Sequence, residues 1–459
     1  MSLLGGSSIM DNSGIYVGLD IGTTSIKVIV AERVKGQMNV IGVGSERSNG
    51  LSRGVIVDID KAATAIQSAV RQAEEKASIE IKKVIAGVPA NLVKIERCRG
   101  MIAVADESKE INNEDVQKVA AAALVQSMPP EREILDVIPD EFVVDGFDGI
   151  KDPRGMVGVR LEMHGTLFTG PKTIIHNTRK AIEKAGLQIE QIVIAPLALS
   201  SLVLNDGEQD FGSIIVDMGG GQTTAGVIHD HQLKYTYVDQ EGGQYITKDI
   251  SVVLNTSIEN AEKLKRDYGY ADAQQASDDE VFPVDVVGQS SPTQISSQYL
   301  AEIIEARLDQ IFDKIKQHLD EIRALELPGG IVLTGGVAAL PGITDLASAV
   351  FGTNVRVFTP SQMGLRHPSF DEALAVIKYQ AALSEVALLV KSALTGDTRA
   401  SVAVEFSEST QASQVLPDQA TQSPKPAQKT SKSKPAKQQD PDRESGFDRM
   451  KGFFNHFFD

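Results

Sequence analysis

The chain has no tryptophan and a single cysteine, Cys98, among 459 residues. One cysteine excludes an internal disulfide and any metal site built on cysteine pairs, and it suits a reducing compartment. Basic residues are in deficit: 45 Lys and Arg face 62 Asp and Glu, for a net charge of −17. A broad basic surface is therefore missing, and nucleic acid is not expected as a partner. No apolar run reaches the ~18 residues that read as a membrane-spanning helix. Residues 1–14 lack the basic start and apolar stretch of a secretory signal, and their Gly/Ser content reads as a disordered leader. The histidines make no metal pattern. His164, His176, His318 and His367 are scattered, and His229 and His231 alternate on a strand without a third ligand.

What is present is globular and mixed α/β. Apolar residues make up 42% and charged residues 23%, the balance of a folded protein. The length exceeds one ordinary core, so two or more domains are expected. Residues 16–31, 38–43 and 84–88 read as strands, and 60–77 has helical spacing through Ala62, Ile66, Ala69, Val70 and Ala73. From about 96 to 170 the texture changes to a small α+β insert. It holds a helix at 114–126 with Asn113 as N-cap, and strands at 133–138, 141–144 and 157–168. Asp152-Pro153-Arg154-Gly155 is its turn signal. Helices are expected at 173–185, from Leu197, and at 245–254, 257–268 and 299–325, with strands at 191–195 and 284–287. Residues 371–394 read as one long apolar helix. Residues 407–445 have almost no large apolar side chain and read as a linker, with five lysines and no acid across 424–437.

Two segments look like copies of one device. Leu19-Asp20-Ile21-Gly22-Thr23-Thr24-Ser25-Ile26-Lys27 and Val216-Asp217-Met218-Gly219-Gly220-Gly221-Gln222-Thr223-Thr224 each run as an apolar strand that ends in Asp. Each then turns through glycine and hydroxyl residues. After each turn the chain is apolar and β-branched (26–30 and 225–228), so it re-enters a strand. A Walker loop or dinucleotide fingerprint would open a helix there. Each segment is therefore a hairpin whose turn offers N–H groups to an anion. Two facing hairpins can grip one polyphosphate, with Asp20 and Asp217 holding a metal or its water. One such turn alone is an ordinary tight hairpin; the pair is what points to phosphate. Lys27 shares its strand face with Ser25 and so points toward the same anion.

Two weaker elements join them. The apolar strand before Gly335-Gly336-Val337 runs into a helix start, where glycine permits close approach and a helix terminus favours an anion. The alternative is that these glycines only pack a strand on a helix. Gly242-Gly243 is followed by Glu262 and Lys265, which share a helix face. The carboxylate would accept from ribose hydroxyls while the lysine lies along the adenosine. Taken alone, that pair reads rather as a solvated surface ion pair.

Together these elements resemble the actin/sugar-kinase/heat-shock-chaperone ATPase superfamily. Residues 18–27 match its first phosphate motif, 216–228 its second and 329–342 its adenosine motif, while 192–202 and 373–382 sit where its two connecting helices belong. The detail is most similar to the FtsA family of bacterial cell-division proteins. The segments that carry this are Gly54-Val55-Ile56-Val57-Asp58-Ile59-Asp60, Asp152-Pro153-Arg154-Gly155-Met156, the second glycine hairpin and Gly329-Gly330-Ile331-Val332-Leu333. The resemblance implies an actin-like two-domain α/β fold with an α+β subdomain inserted in domain 1. Subdomain 1A would be 15–95 and 172–211, with the insert 1C at 96–171. Subdomain 2A would be 212–243 and 329–370, with 2B at 244–328. An interdomain helix at 371–395, a disordered linker at 396–444 and an amphipathic helix at 445–459 would follow. It implies ATP with Mg²⁺ in the cleft, the phosphates held by Gly22, Thr23, Thr24, Ser25, Lys27 and by Gly219, Gly220, Gly221, Gln222 and Thr223. Asp20 and Asp217 would hold the metal through water. It also implies actin-like self-association, binding of the FtsZ C-terminal tail through 2B, and contacts of 1C with other division proteins. Many superfamily members place an acid or Gln near the first connecting helix to orient water. Here 195–200 holds no acid, so no catalytic residue is assigned, and ATP is expected to be bound tightly and hydrolysed slowly.

The last segment stands without the resemblance. Phe447, Met450, Phe453, Phe454, Phe457 and Phe458 share one helical face, with Lys451 beside them. About fourteen residues at ~1.5 Å rise span ~21 Å, too short for a ~30 Å hydrocarbon core. Such a helix lies in the membrane interface, and the upstream lysines are drawn to anionic lipid. The alternative is a helix docked on the body. A small-metabolite kinase would share the hairpins but has no use for this tail. A heat-shock-type chaperone would need a folded β domain where the linker is expected.

Overall fold

The computed structural model describes residues 14–104, 109–125 and 129–394. The rest of the expected leader, the linker and the Phe-rich terminal segment lie outside the described residues.

Strands β1 (Ile15–Ile21) and β2 (Ser25–Val34) open the fold. Leu19, Ile26, Val28, Ile29 and Val30 are fully buried, so these strands are apolar on both faces and lie inside a sheet covered on both sides. β3 (Gln37–Arg47) extends the meander, and β4 (Leu51–Ser52) and β5 (Val55–Ile56) form a small hairpin. In α1 (Ile59–Ala77) the Asp58 side chain caps the first turn by accepting from the Lys61 N–H. The expected stripe from Ala62 to Ala73 is buried against β2 and β3. β6 (Lys83–Val88) then lies parallel to β1.

The insert contains β7 (Lys94–Ala103), α2 (Asn113–Ala123), β8 (Arg132–Val144), β9 (Phe147–Ile150) and β10 (Arg160–Pro171). The strands form an antiparallel sheet in the order β7-β10-β8-β9, with α2 packed on β7 and β10. Three expectations change here. The cap of α2 is Asn112, not Asn113, in a reciprocal box in which Asp115 accepts from the Asn112 N–H. The two strands expected at 133–138 and 141–144 are one: Pro139 pairs with Gly165 and Glu141 with His164, and a bulge leaves Asp140 between them without a partner on β10. β7 and β9 were not expected: alternating charges disguise the first, and the second has only four residues.

The first half closes with α3 (Lys172–Lys184), β11 (Gln188–Ile194), α4 (Ala195–Val203) and α5 (Asp206–Phe211). The second half opens with β12 (Ser213–Met218), β13 (Thr223–His229) and β14 (Gln232–Asp239), then α6 (Gly243–Val253) and α7 (Ile258–Tyr268). β15 (Val281–Val284) pairs with β16 (Thr293–Ser296), three residues earlier than the strand expected at 284–287. Then come α8 (Ser297–Glu321), β17 (Ile331–Thr334), α9 (Ile343–Phe351), β18 (Val355–Val357), α10 (Asp371–Ala382) and α11 (Glu385–Ser392). No long helix starts at Gly335-Gly336; a single 3₁₀ turn, Gly336–Ala339, intervenes before α9. The long helix expected at 371–394 is two helices bent by 103°, because the Ser384 hydroxyl caps a new helix at the Ala387 N–H.

The two main sheets have one topology. β3-β2-β1-β6-β11 and β14-β13-β12-β17-β18 each join an antiparallel meander to two parallel strands. α4 follows the first sheet and packs on strands of both sheets; α10 follows the second sheet and packs on β1, β2 and β6. The two helices also pack on each other and share one apolar core with both sheets. Gly18 is where α10 meets β1: a Cβ there would stand 2.2 Å from the Ala373 carbonyl oxygen.

α11 packs on α2 and β8 of the insert. There the Lys391 ammonium bonds both carboxylate oxygens of Asp136, with side chains only 3% and 1% exposed. Removing one partner strands a buried charge, which costs about 3–5 kcal/mol. Lys391→Met should lower the unfolding free energy obtained from urea titration by that amount, and adding Asp136→Asn should recover part of the loss. A Lys391→Met protein as stable as the parent would show that the pair does not hold α11 to the insert.

Candidate functional site

The expected hairpins face one another tip to tip. In the first, Asp20 is the cross-strand partner of Lys27, and Ile21 of Ile26. In the second, Asp217 pairs with Thr224, and Met218 with Thr223. A Cβ on Gly220 would fall 2.4 Å from Thr24 Cγ2, and one on Gly221 2.5 Å from Thr23 Oγ1. The turns touch so closely that only glycine fits on the second one.

Beneath them lies a cleft of about 720 Å³ between the two sheets. All the expected binding residues line it except Thr223 and Gly242. Thr223 is fully buried, and its hydroxyl donates to the Glu241 carbonyl at 2.9 Å; its neighbour Thr224 faces the cleft instead. Alternation along the strand, with Asp217 opposite Thr224, was the signal that distinguishes them. Gly242 packs under the second turn, where a Cβ would meet the Gly219 carbonyl oxygen at 2.5 Å. The N–H groups of Gly243 and Gln244 at the start of α6 donate to the carbonyls of Gly219 (3.0 Å) and Gly220 (2.8 Å). So Gly242 and Gly243 brace the turn.

Lys27 bonds Asp20 at 2.9 Å, and both side chains are at least 91% buried. Its expected direction holds, but its ammonium sits on the carboxylate across the strand. Glu262 and Lys265 are not a solvated surface pair: Lys265 is buried and Glu262 is partly exposed, its side chain 34% accessible. The Lys265 ammonium donates to Gly243 O (2.9 Å), Thr247 Oγ1 (2.7 Å) and Glu262 Oε2 (2.6 Å). Glu262 keeps Arg266 on its outer oxygen at 2.7 Å. Gly335 takes a φ of 87° beside Asp217, and Val337 meets Gly243 across the cleft floor. Lys265, Glu262 and Val337 therefore converge on the start of α6.

Three further groups belong to the site and were not expected. Arg53, on the β4–β5 turn, reaches from the first half to Gln240 Oε1 (3.2 Å) and the Tyr245 hydroxyl (2.9 Å) of the second. The next N–H, of Gly54, donates to Thr23 Oγ1 at 2.8 Å. Asp371 and Glu372 begin α10: Asp371 accepts from the Thr334 hydroxyl, and Glu372 lines the cleft. His367 also lines it, its pKa lowered by burial and by the charges of Lys27 and Arg266. Acids in a first helical turn read as complements to the helix dipole, which is why Asp371 and Glu372 went unmarked.

Comparison with known proteins agrees with this arrangement. Residues 214–375 match the family described as cell division protein FtsA, and residues 90–169 match the SHS2 domain inserted in FtsA. The cell division protein FtsA of Enterococcus hirae is 61% identical over 389 residues, 85% of this chain and 88% of that one. The chain belongs to the FtsA family. Among solved structures it is similar to the PilM-PilN type IV pilus biogenesis complex, with a TM-score of 0.55 at 16% identity, covering 79% of this chain and 97% of that one. It is also similar to MreB5 of Spiroplasma citri bound to ADP, with a TM-score of 0.51 at 14% identity, covering 83% and 99%. The fold is thus the actin-like one, and the insert is the SHS2 domain of the FtsA family. A metabolite kinase or a chaperone is no longer needed to account for the hairpins.

The FtsA-family cleft is electrostatically strained here. Burial pushes the Asp217 carboxyl up to about 7, with the charge of Asp20 adding to the rise and Lys27 opposing it. Burial raises Asp371 to about 8 against the Thr334 hydrogen bond. Both groups keep a proton in the folded chain where the unfolded chain, at 3.8, has lost it. Stability therefore falls as pH rises from about 4 through about 7 to 8. The melting temperature of the ligand-free protein should drop across that range in scanning fluorimetry. Asp217→Asn should flatten the slope; an unchanged slope would remove Asp217 from the account.

Proposed function

We propose that the chain binds ATP with Mg²⁺ between its two halves and assembles as an actin-like filament on the inner face of the cytoplasmic membrane at the division site. There it tethers FtsZ and helps recruit later division proteins. The observation that carries the nucleotide reading is the tip-to-tip pair of glycine turns above a polar cleft. Its far end holds a part-buried Glu262–Lys265 pair and a Gly335-Gly336 turn. One solved structure of similar fold, MreB5 of Spiroplasma citri, is bound to ADP.

The residues present suit both groups. N–H groups and hydroxyls of the first turn would meet the phosphates from one side and those of Gly219 to Gln222 from the other. Lys265 and Glu262 would lie along the nucleoside. The carboxyl groups of Asp20, Asp217 and Asp371 gather near one ammonium, that of Lys27, and a divalent cation would stabilise their charged forms. No three acidic, His or Cys side chains among the described residues converge on a single metal position, so the ion would be held through water. When bound, it would shield phosphate charge. With no acid on 195–200, nucleotide serves first as the ligand that closes the cleft and favours the assembling shape.

Two surfaces support the partner readings. Between α6 and α8 runs a groove of about 510 Å³, walled by Val252, Val253 and Ile303, with Asp249 and Arg307 along it. Val252 is 70% exposed there, and Arg307 is held by Asp249 at 3.0 Å and Glu241 at 3.1 Å. An apolar trough with a fixed cation suits a short peptide such as the FtsZ tail. For the membrane, the support is the one-sided Phe-rich face of 447–458. One short interfacial helix is a marginal anchor, and many on one filament act with avidity.

Liposome co-sedimentation tests the anchor. The full chain should pellet with anionic vesicles, and a chain ending at Ser445 should stay in the supernatant. Equal pelleting of both would end the anchor reading. For the nucleotide, Lys265→Ala should weaken ATP binding by on the order of tenfold or more, read by titration of a fluorescent ATP analogue. Unchanged affinity would place the nucleoside elsewhere.

A further inference from the structure

The first connecting segment offers no acid to the cleft, and the second does. We propose that Glu372 positions the water that attacks the terminal phosphate of bound ATP. This rests on the nucleotide reading above and adds to it the group that the region around Pro196 does not supply.

The placement follows from backbone packing. β1 and β6 are parallel neighbours, with Leu19 opposite Ala86, so Asp20 and Gly87 are the next residues on adjacent strands. α10 lies on β1 at Gly18, whose missing side chain lets the Ala373 carbonyl come within 2.2 Å of an ideal Cβ position. That contact sets Glu372, one residue earlier, over Gly87. A Cβ on Gly87 would fall 2.4 Å from Glu372 Oε1, so the glycine makes the space that the carboxylate fills.

The preceding residue is tied to the other half. Asp371 accepts from Thr334, and Thr334 is the parallel-strand partner of Asp217. Two consecutive acids at the start of α10 therefore address the two phosphate hairpins separately: Asp371 the second, Glu372 the first. Asp371 is buried and gives one carboxylate oxygen to Thr334. Glu372 lies on the cleft wall and is only partly buried by the residues around it.

In the proposed step Glu372 accepts a hydrogen bond from a water and aims its lone pair at the γ-phosphorus. The water oxygen bonds to that phosphorus as the bond to the β–γ bridging oxygen breaks. ADP leaves with the electron pair, and both water protons depart on the inorganic phosphate. Atoms and charge balance as ATP and water give ADP and dihydrogen phosphate. The carboxylate is a positioning residue, and its loss should act on turnover rather than affinity.

The test uses the full chain with Mg²⁺ and ATP. Binding is followed with a fluorescent ATP analogue, and single-turnover release of inorganic phosphate is followed alongside. Glu372→Gln should keep affinity within about twofold and slow phosphate release by about 100-fold. Glu372→Asp, which keeps a carboxylate on a shorter arm, should lie between that variant and the parent. Thermal melts of both variants should be no lower than the parent's. Parent-like release by Glu372→Gln, or a loss of affinity that accounts for the slower release, overturns the proposal. So does a parent that binds ATP and releases no phosphate. A parent that fails to bind ATP overturns the nucleotide reading itself, which separates the two failures.

Discussion

The contact between the two glycine turns governs the rest of the structure. Thr23 and Thr24 on one tip press against Gly220 and Gly221 on the other, close enough that no Cβ fits between them. Each tip is braced from its own side. The Gly54 N–H holds the Thr23 hydroxyl, and the first N–H groups of α6 hold the carbonyls of Gly219 and Gly220. Because a peptide carbonyl moved by an ångström loses its hydrogen bond, these braces tie the position of α6 to the position of the turn. The start of α6 in turn receives Lys265 and, through Thr247, Glu262. The Glu262–Lys265 end of the cleft is thus built outward from the glycine turns through one helix terminus.

Much of this was legible because the same device occurs twice. An apolar strand ending in Asp, a glycine turn and a return strand is recognisable from residue types alone. The repetition extends to the sheets, whose strand orders match strand for strand. The helix stripe of α1 and the two connecting helices were also readable, since their apolar spacing leaves few other places to bury them. The insert was readable as a change in texture, but its strands were less so. β7 carries Lys, Glu and Arg among its apolar residues, and a bulge at Asp140, next to Pro139, hides the continuity of β8.

The misses share a cause: each depends on a contact between residues far apart in the chain. Lys265 looks like a surface lysine until Gly243 O and Thr247 Oγ1 arrive from α6 to bury it. Thr223 and Thr224 are indistinguishable by type, and only the pairing with Asp217 separates them. Arg53 sits on a two-strand hairpin with nothing local to mark it, yet it makes two hydrogen bonds across the cleft. The break between α10 and α11 rests on one serine, and its purpose shows only where Lys391 meets Asp136 of the insert.

The cleft also shows why the fold needs both connecting helices in the middle. Asp217, Asp371 and Glu372 are all held with raised proton affinity, first by burial and then by one another or by Asp20. Left free, such carboxylates would separate and hydrate. They stay together because the main chain that carries them is fixed by apolar packing. β12 lies in the centre of its sheet, and α10 is packed between sheets through Ala373, Leu374, Ala375, Val376 and Ile377. The core therefore opposes the site's charge repulsion, and a cation-bearing ligand would relieve it. A ligand that relieves strain stored in both halves has differential affinity for the state in which the halves are closed, and that is the requirement for any ligand to shift a conformational equilibrium. In this chain the requirement is met by residues on both sheets at once, because Asp20 belongs to one half and Asp217 to the other.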